Sequence, residues 1–169
     1  MRRNTLGVEE FYSEILRGLL DILGEELLAA FVFGSTIYYG KGRDVDIVAV
    51  VSKDRNMKEK LALEYRIRRH LCRDYRICGA DLHVMSVSEF RENLKPGTFL
   101  SGFALGYKVL LDRENIEKEV LSFLKLLSGS DYVIYNRYGR WNLGRHAGIT
   151  YRRRKRELEK DSLHDGFSL

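Results

Sequence analysis

Proline, cysteine and long apolar runs are scarce in this chain of 169 residues, which has one proline, Pro96, and two cysteines. The sequence has no proline-rich linker, internal repeat or low-complexity tract, so its single candidate boundary is Ser128-Gly129-Ser130. We therefore predict one domain over residues 1–128 and an extension over 129–169. The longest apolar run, 27–33, is far shorter than the roughly 20 residues that a membrane-spanning helix needs. Acidic residues begin by Glu9, unlike in a secretion signal, and we expect a cytoplasmic protein with no membrane partner.

The two cysteines, Cys72 and Cys78, do not predict a metal site. Zinc would need His70 or His83 as further ligands, at a spacing that matches no common zinc pattern. We therefore expect reduced, structural thiols. His70 lies among arginines of a predicted helix and is expected to be an ordinary surface residue. His83, two positions after Asp81, is either a substrate contact or a half-buried strand residue.

Acidic residues are absent from the segment 132–156, which holds eight of the 29 basic residues of the chain. The positive charge is therefore concentrated near the C-terminus, which indicates an anionic partner. Aromatic residues are interleaved with these cations, and this composition suits stacking on bases while arginines contact phosphates. RNA is the first partner to test. The alternative is that the aromatic residues pack the tail on the rest of the chain and the basic run is a solvated helix face.

Carboxylates at an apolar run are the most informative feature that the chain contains. Asp46 lies within the apolar run 45–51, and Asp44 directly precedes it. Burying a carboxylate there without a partner would cost several kcal/mol. Residues i and i+2 of a strand project from the same face, so the two side chains point the same way. If the apolar segment 80–85 lies beside this strand, its one acid, Asp81, converges on them. Such a trio calls for a hard cation, and two Mg²⁺ ions about 3.5–4 Å apart can hold the attacking and leaving oxygens of a phosphoryl transfer.

A Gly-Ser pair, Gly34-Ser35, follows the predicted buried strand 29–33. Glycine permits a tight turn and a close approach of the backbone to a ligand. If a helix starts after this turn, its free N–H groups and positive dipole end attract phosphate oxygens. The sequence therefore predicts a phosphate-binding turn next to a metal site.

Taken in order, the apolar-Gly-Ser, Asp-apolar-Asp-apolar and apolar-Asp-apolar motifs resemble those of the polymerase-beta-like nucleotidyltransferase superfamily, in the form of its minimal prokaryotic and archaeal members. The resemblance rests on residues 33–51 and 80–85 and extends more loosely to about residue 127. It implies an α/β (α+β) fold with a small mixed β-sheet flanked by helices. Hydrophobic periodicity and capping residues agree with such a layout. They predict helices at 8–23, 57–74, 86–94, 98–105 and 112–127, and strands at 29–33, 45–51, 80–85 and 107–111.

The resemblance also implies roles for the motif residues. Asp44 and Asp46 bind the metals, and Asp81 completes the site and assists deprotonation of the acceptor hydroxyl. Gly34 and Ser35 bind the triphosphate. The implied cofactor is a pair of Mg²⁺ ions, with Mn²⁺ as an alternative, and ATP is the expected nucleoside triphosphate.

The leading hypothesis is therefore an enzyme, a nucleotidyltransferase that moves a nucleoside monophosphate to a hydroxyl of RNA, protein or a small molecule and releases pyrophosphate. Two alternatives stay open: an antitoxin-like protein that binds a toxin-like partner, and a non-catalytic RNA-binding protein. Arginines of the C-terminal extension are candidate contacts for nucleic acid or for the triphosphate. They are Arg137, Arg140, Arg145, Arg152, Arg153 and Arg154.

Overall fold

A four-stranded mixed sheet lies at the centre of the computed structural model, which describes residues 7–39, 44–136 and 139–165. Its strands are β1 (Leu27–Phe33), β2 (Val45–Val51), β3 (Ala80–Ser86) and β4 (Tyr107–Asp112), in the order β3-β2-β1-β4. β2 and β3 run parallel, whereas β1 pairs with β2 and β4 in antiparallel fashion. The predicted α+β class, a small mixed sheet flanked by helices, is confirmed.

The helices are α1 (Val8–Leu23), α2 (Ser35–Tyr39), α3 (Met57–Tyr75), α4 (Val87–Asn93), α5 (Glu117–Ser128) and α6 (Leu143–Asp165), with a 3₁₀ helix at Phe99–Leu105. The predicted helical segments lie within one residue of their predicted bounds, except that α5 begins at Glu117 and not directly after Asp112. A helix after the glycine turn was expected only as a possibility, and α6 was not predicted. Capping boxes start α3 and α4, because the side chains of Asn56 and Ser86 each accept the N–H of the glutamate three residues later. In the described ranges, we find no helix with both the length and the apolar character needed to cross a bilayer.

Side chains of the sheet alternate between two buried layers, as the period of a strand requires. On one face, α1 and α3 pack against Ala30, Val32 and Ile47. We call this the α1–α3 face. His70, expected to be an ordinary surface histidine, is half-buried there, and its Nε2 lies 2.9 Å from Oδ2 of Asp21 in α1.

The opposite face of the sheet, which we call the α5–α6 face, carries the larger aromatic cluster. Phe31, Phe33 and Tyr107 project from the strands, and Phe90 and Phe103 cover them from α4 and the 3₁₀ helix. α5 and α6 complete this layer. Residues 44, 46, 81 and 83 have the strand parity of this face, so every predicted acidic site residue belongs to it.

The C-terminal residues pack on this same cluster. A two-stranded hairpin of β5 (Val133–Asn136) and β6 (Gly139–Asn142) leads into α6. Tyr132, Trp141 and Tyr151 contact the core of the α5–α6 face, as one of the interpretations of the tail expected, whereas Tyr135 is 76% exposed. The predicted boundary at residue 128 stays a prediction about chain organisation.

The expectation of reduced cysteines is wrong in this structure, where Cys72 and Cys78 form a disulfide. Arg76 ends α3 in a left-handed conformation, with φ of 60°, and turns the chain back on the last helical turn. This turn brings the two Cα atoms to 4.2 Å. The spacing of Cys72 and Cys78, which matches no zinc pattern, therefore allows a disulfide across the end of α3.

Candidate functional site

Strand register brings two of the predicted carboxylates together. In the parallel pair β2–β3, Asp46 is directly opposite Asp81. Neighbouring strands lie about 4.8 Å apart, so the two side chains start from adjacent positions on one face. Asp44 precedes β2 by one residue, and its backbone carbonyl accepts a 2.6 Å hydrogen bond from the Thr36 hydroxyl of α2.

The surroundings of Asp46 affect its ionisation. Burial, followed by the negative charge of Asp81 and with a smaller effect of Asp44, raises the pKa of the Asp46 carboxyl, while His83 partly offsets this rise. Like charges at short range disfavour ionisation, and a cation placed among them would reverse that effect. Asp46 is half-buried and Asp44 and Asp81 are exposed, so the cluster opens to solvent on one side.

Gly34 lies directly against Asp46. Its φ is +83°, and a Cβ at this position would stand 2.6 Å from Oδ2 of Asp46. The N–H of Gly34 donates to the carbonyl of Gly106, just before β4, at 3.1 Å. Only glycine fits this conformation and this spacing together. The turn and the carboxylate are therefore one packed unit.

The helix after the turn is short. α2 has five residues, so its dipole is small, and the expected contribution of a helix end to phosphate binding reduces to the backbone of the turn itself. The side chain of Ser35 lies outside what the structure describes. At the far end of α2, the ring of Tyr38 contacts Trp141 and His146, at centroid distances of 5.6 and 5.4 Å.

Two rings, those of His83 and Phe99, lie beside the carboxylates. The ring of His83 lies 4.2 Å from that of Phe99 in the 3₁₀ helix, and its Nε2 is 3.4 Å from Oδ1 of Asp81. His83 is half-buried, and Phe99 is 40% exposed, so its ring remains accessible. Phe99 was not predicted from the sequence, because it comes next to His83 of β3 only through the tertiary packing of the 3₁₀ helix.

Asp44, Asp46 and Asp81 fit hard divalent cations by their chemistry, because all three donate carboxylate oxygens. Within the ranges that the structure describes, no three His, Cys, Asp or Glu side chains are gathered closely enough to hold a metal ion as they stand. Ion binding at this cluster therefore requires the exposed carboxylates of Asp44 and Asp81 to turn toward Asp46. A cation there would offset the burial and the negative charge of Asp81, which raise the pKa of the Asp46 carboxyl.

The six predicted arginine contacts have different surroundings. Arg154 forms an ion pair with Glu117, with Nε 2.6 Å from Oε1. Arg140 is exposed on β6, opposite the exposed Tyr135. The side chains of Arg145, Arg152 and Arg153 are exposed on α6. Arg137 lies outside the described residues.

No protein-family model matches this sequence, and no curated protein sequence matches it. Solved structures similar to the chain include a toxin–antitoxin complex with AMP-PNP, at 14% identity and a TM-score of 0.45, covering 70% of this chain and 87% of that chain. A complex of tri-AMPylated Shewanella oneidensis HEPN toxin with MNT antitoxin gives 13% identity and a TM-score of 0.45, covering 72% of this chain and 87% of that chain. Spectinomycin adenyltransferase AAD(9) from Enterococcus faecialis, with ATP and spectinomycin, gives 14% identity and a TM-score of 0.44, covering 73% of this chain and 66% of that chain.

The chain is thus similar in structure to chains from complexes that contain an MNT antitoxin and to an adenyltransferase. Likenesses at this identity and TM-score do not establish an activity for this chain.

Proposed function

We propose that this chain is a nucleotidyltransferase that uses divalent metal to move a nucleoside monophosphate from a nucleoside triphosphate to a hydroxyl acceptor. One observation carries the proposal: Asp46 and Asp81 are in register on one face, and Gly34 is packed on the Asp46 carboxylate. A half-buried carboxylate facing a second one across a strand pair is costly unless a cation or a proton shares the site. Its position beside a glycine turn favours chemistry on phosphate.

Asp44 and Asp46 would hold the ions, and Asp81 would complete their coordination. When bound, two Mg²⁺ ions, or Mn²⁺, supply positive charge that offsets the charge developing on the phosphoryl oxygens. Catalysis by the residues themselves is mainly positioning. ATP is the nucleotide to test first.

In the proposed reaction, the acceptor oxygen forms a bond to the α-phosphorus of the nucleotide. The bond between that phosphorus and the oxygen bridging to the β-phosphate breaks, and pyrophosphate leaves with the electron pair. The proton of the acceptor passes to the Asp81 carboxylate. Asp81 suits this role because its side chain is 58% exposed on the edge strand β3, where an acceptor can approach from solvent.

The turn after β1 would bind the phosphates through its backbone. The Gly34 N–H is bonded to Gly106, and the Tyr38 N–H is bonded to the Gly34 carbonyl at 3.2 Å. The N–H groups of residues 35–37 lie between these two bonds, at the start of α2. They would be the donors to phosphate oxygens, together with the Ser35 hydroxyl that the sequence predicts.

RNA is the acceptor class with a surface to support it. Tyr135 and Arg140 are cross-strand partners on the hairpin, and both side chains are exposed. An exposed aromatic ring beside a guanidinium is the combination that stacks on a base and contacts its phosphate. A protein acceptor, such as a toxin-like partner, and a small molecule are the other outcomes of the test below.

The test is incubation of the purified chain with each NTP labelled at the α-phosphate, with Mg²⁺ or Mn²⁺, and a pool of cellular RNA, proteins and metabolites. We expect label to move to a larger acceptor with wild type and to stay on free nucleotide with Asp46→Asn. Asp54→Asn, a change at an exposed acid beyond the other end of β2, is the matched control and should behave as wild type. Equal transfer by wild type and Asp46→Asn would defeat the proposal.

A further inference from the structure

An arginine of α6 lies beside the glycine turn. The Gly34 N–H donates to the Gly106 carbonyl at 3.1 Å, so Gly106 is the direct neighbour of the turn. A Cβ built on Gly106 would lie 3.4 Å from Nη2 of Arg153 and 2.9 Å from Cγ2 of Ile37 in α2. The guanidinium of Arg153 therefore reaches the backbone that supports Gly34 and the helix that follows it.

Two buried contacts fix the backbone of α6 around Arg153. The Thr150 hydroxyl, three residues earlier, donates to the carbonyl of Ala104 at 2.8 Å. Arg154, one residue later, forms its ion pair with Glu117. A side chain that rises from a fixed backbone loses less freedom when it binds a ligand than one on a mobile segment.

Arg153 is exposed and has no hydrogen bond or ion pair within the described part of the chain. Its charge is not neutralised there, although it lies one hydrogen-bonded residue away from the turn that packs on Asp46. A guanidinium has five N–H donors in a planar fork, which matches phosphate oxygens. An arginine in this position is suited to an anion that lies along the turn.

The neighbouring arginines of α6 have other surroundings. Arg154 is occupied by Glu117. The guanidinium of Arg152 points toward α5, because a Cβ built on Gly148 would lie 3.5 Å from its Nη1 and 3.4 Å from Cβ of Ser128. Among the described residues of α6, Arg153 is the one whose guanidinium the structure brings to the Gly34–Gly106 contact.

We propose that Arg153 binds the phosphates of the nucleoside triphosphate that leave as pyrophosphate. This inference rests on the proposed function, because that function requires the α-phosphorus to lie at the carboxylates. The phosphates beyond it then extend along the turn, past Gly34 toward Gly106. Of the six candidate arginines, the proposal selects Arg153. It gives the C-terminal extension a role in nucleotide binding.

The test is equilibrium binding of a fluorescent ATP analogue and the matching AMP analogue, with Mg²⁺ and no acceptor, to wild type, Arg153→Ala, Arg153→Lys and Arg152→Ala. We expect Arg153→Ala to weaken ATP binding roughly ten- to hundredfold, the range for a lost hydrogen bond to a charged group. Arg153→Lys should recover part of this loss, because it keeps the charge without the fork. Arg152→Ala should bind as wild type, and binding of the AMP analogue should not depend on residue 153.

Two results would overturn the inference and leave the proposed function intact: equal ATP affinity of wild type and Arg153→Ala, or an equal loss in Arg152→Ala and Arg153→Ala. The second would mean that general positive charge, and not position, attracts the nucleotide. If wild type binds no nucleotide at all, the proposed function and this inference fall together. Thermal melts of each variant show whether it is folded at the temperature of the binding measurement.

Discussion

Among single residues, Gly34 has the least freedom to change. Gly34→Ala would force a side chain into positive φ and against the Asp46 carboxylate, at the 2.6 Å separation given above. We expect a loss of about 1–3 kcal/mol in the free energy of unfolding, the usual cost of such strain. Urea unfolding followed by circular dichroism measures it. Gly129→Ala, where the nearest atom would be 3.5 Å away, should change little, and coincident curves for wild type and Gly34→Ala would contradict the prediction.

We expect Asp46 to promote the proposed reaction but to lower the free energy of unfolding. Its pKa is raised, first by burial and then by Asp81 and Asp44, so its ionised form at neutral pH weakens the folded state. Without metal, Asp46→Asn is expected to increase the free energy of unfolding by about 0.5–2 kcal/mol, the range of single stabilising changes.

The difference in stability between wild type and Asp46→Asn should depend on pH and on metal. As pH falls through the raised pKa of Asp46, the wild-type carboxylate protonates and the advantage of Asp46→Asn should vanish. Added Mg²⁺ should raise the melting temperature of wild type but not of Asp46→Asn. Thermal melts at several pH values, with and without Mg²⁺, provide both readouts. An advantage that is the same at every pH would show that charge is not its cause.

Among the secondary-structure elements, α6 is held by the ion pair between Arg154 and Glu117, in addition to the hydrogen bond of Thr150. Both oxygens of Glu117 in α5 accept from Arg154, and Oε1 also accepts from the Tyr107 hydroxyl at 2.8 Å. Burial, together with the charge of Glu117, raises the pKa of Tyr107, so the phenol stays protonated and donates. The contact therefore joins α5, α6 and β4 at one point.

Removing Glu117 should weaken the attachment of the middle of α6 to α5. Glu117→Ala leaves a largely buried guanidinium and a phenol without their acceptor, and we expect a loss of about 3 kcal/mol, near the lower limit for breaking a buried pair because Arg154 is partly exposed. Glu159→Ala removes an exposed pair with Lys155 on the same helix and should cost under about 0.5 kcal/mol. Urea midpoints for the two variants decide the matter, and similar midpoints would refute a structural role for the Glu117 contact.

The sequence predicted the elements whose signals are local. Asn56 and Ser86 each begin a helix with a glutamate three residues later, and both capping boxes form. By contrast, the hairpin and α6 were not predicted as elements. The packed face of α6 contains the buried Leu143 and Ala147, but Gly144, Gly148 and Thr150 lie on it too and weaken its apolar periodicity.

The same distinction explains the site. The acids were predictable because i and i+2 of a strand share a face and because β2 and β3 follow each other around one crossover helix. Phe99 and Gly106 were not singled out by any local pattern, and Arg153 was one of six candidate arginines that the sequence did not distinguish, since segments far apart in the chain bring these residues to the turn. The disulfide was missed for a similar reason, because the left-handed conformation of Arg76 is unusual for a residue other than glycine.

For the molecule as a whole, the Cys72–Cys78 disulfide restricts the unfolded chain. The bridge has a sequence separation of 6, and closing so short a loop is worth about 2 kcal/mol. We expect dithiothreitol to lower the free energy of unfolding of wild type, measured by urea unfolding, by this amount, and so to lower its urea midpoint. The double variant Cys72→Ser, Cys78→Ser should have the midpoint of reduced wild type, with or without dithiothreitol. A wild-type midpoint that does not respond to the reductant would contradict the prediction.

The contact between Tyr38 and Trp141 makes the chain its own optical probe. Trp141 is the single tryptophan, so all indole emission comes from the place where the hairpin meets the helix after the glycine turn. A ligand that displaces this helix should shift or quench that emission, and titration with unlabelled nucleotide would then need no dye. Occupancy of the turn can be followed in the native chain by its intrinsic fluorescence.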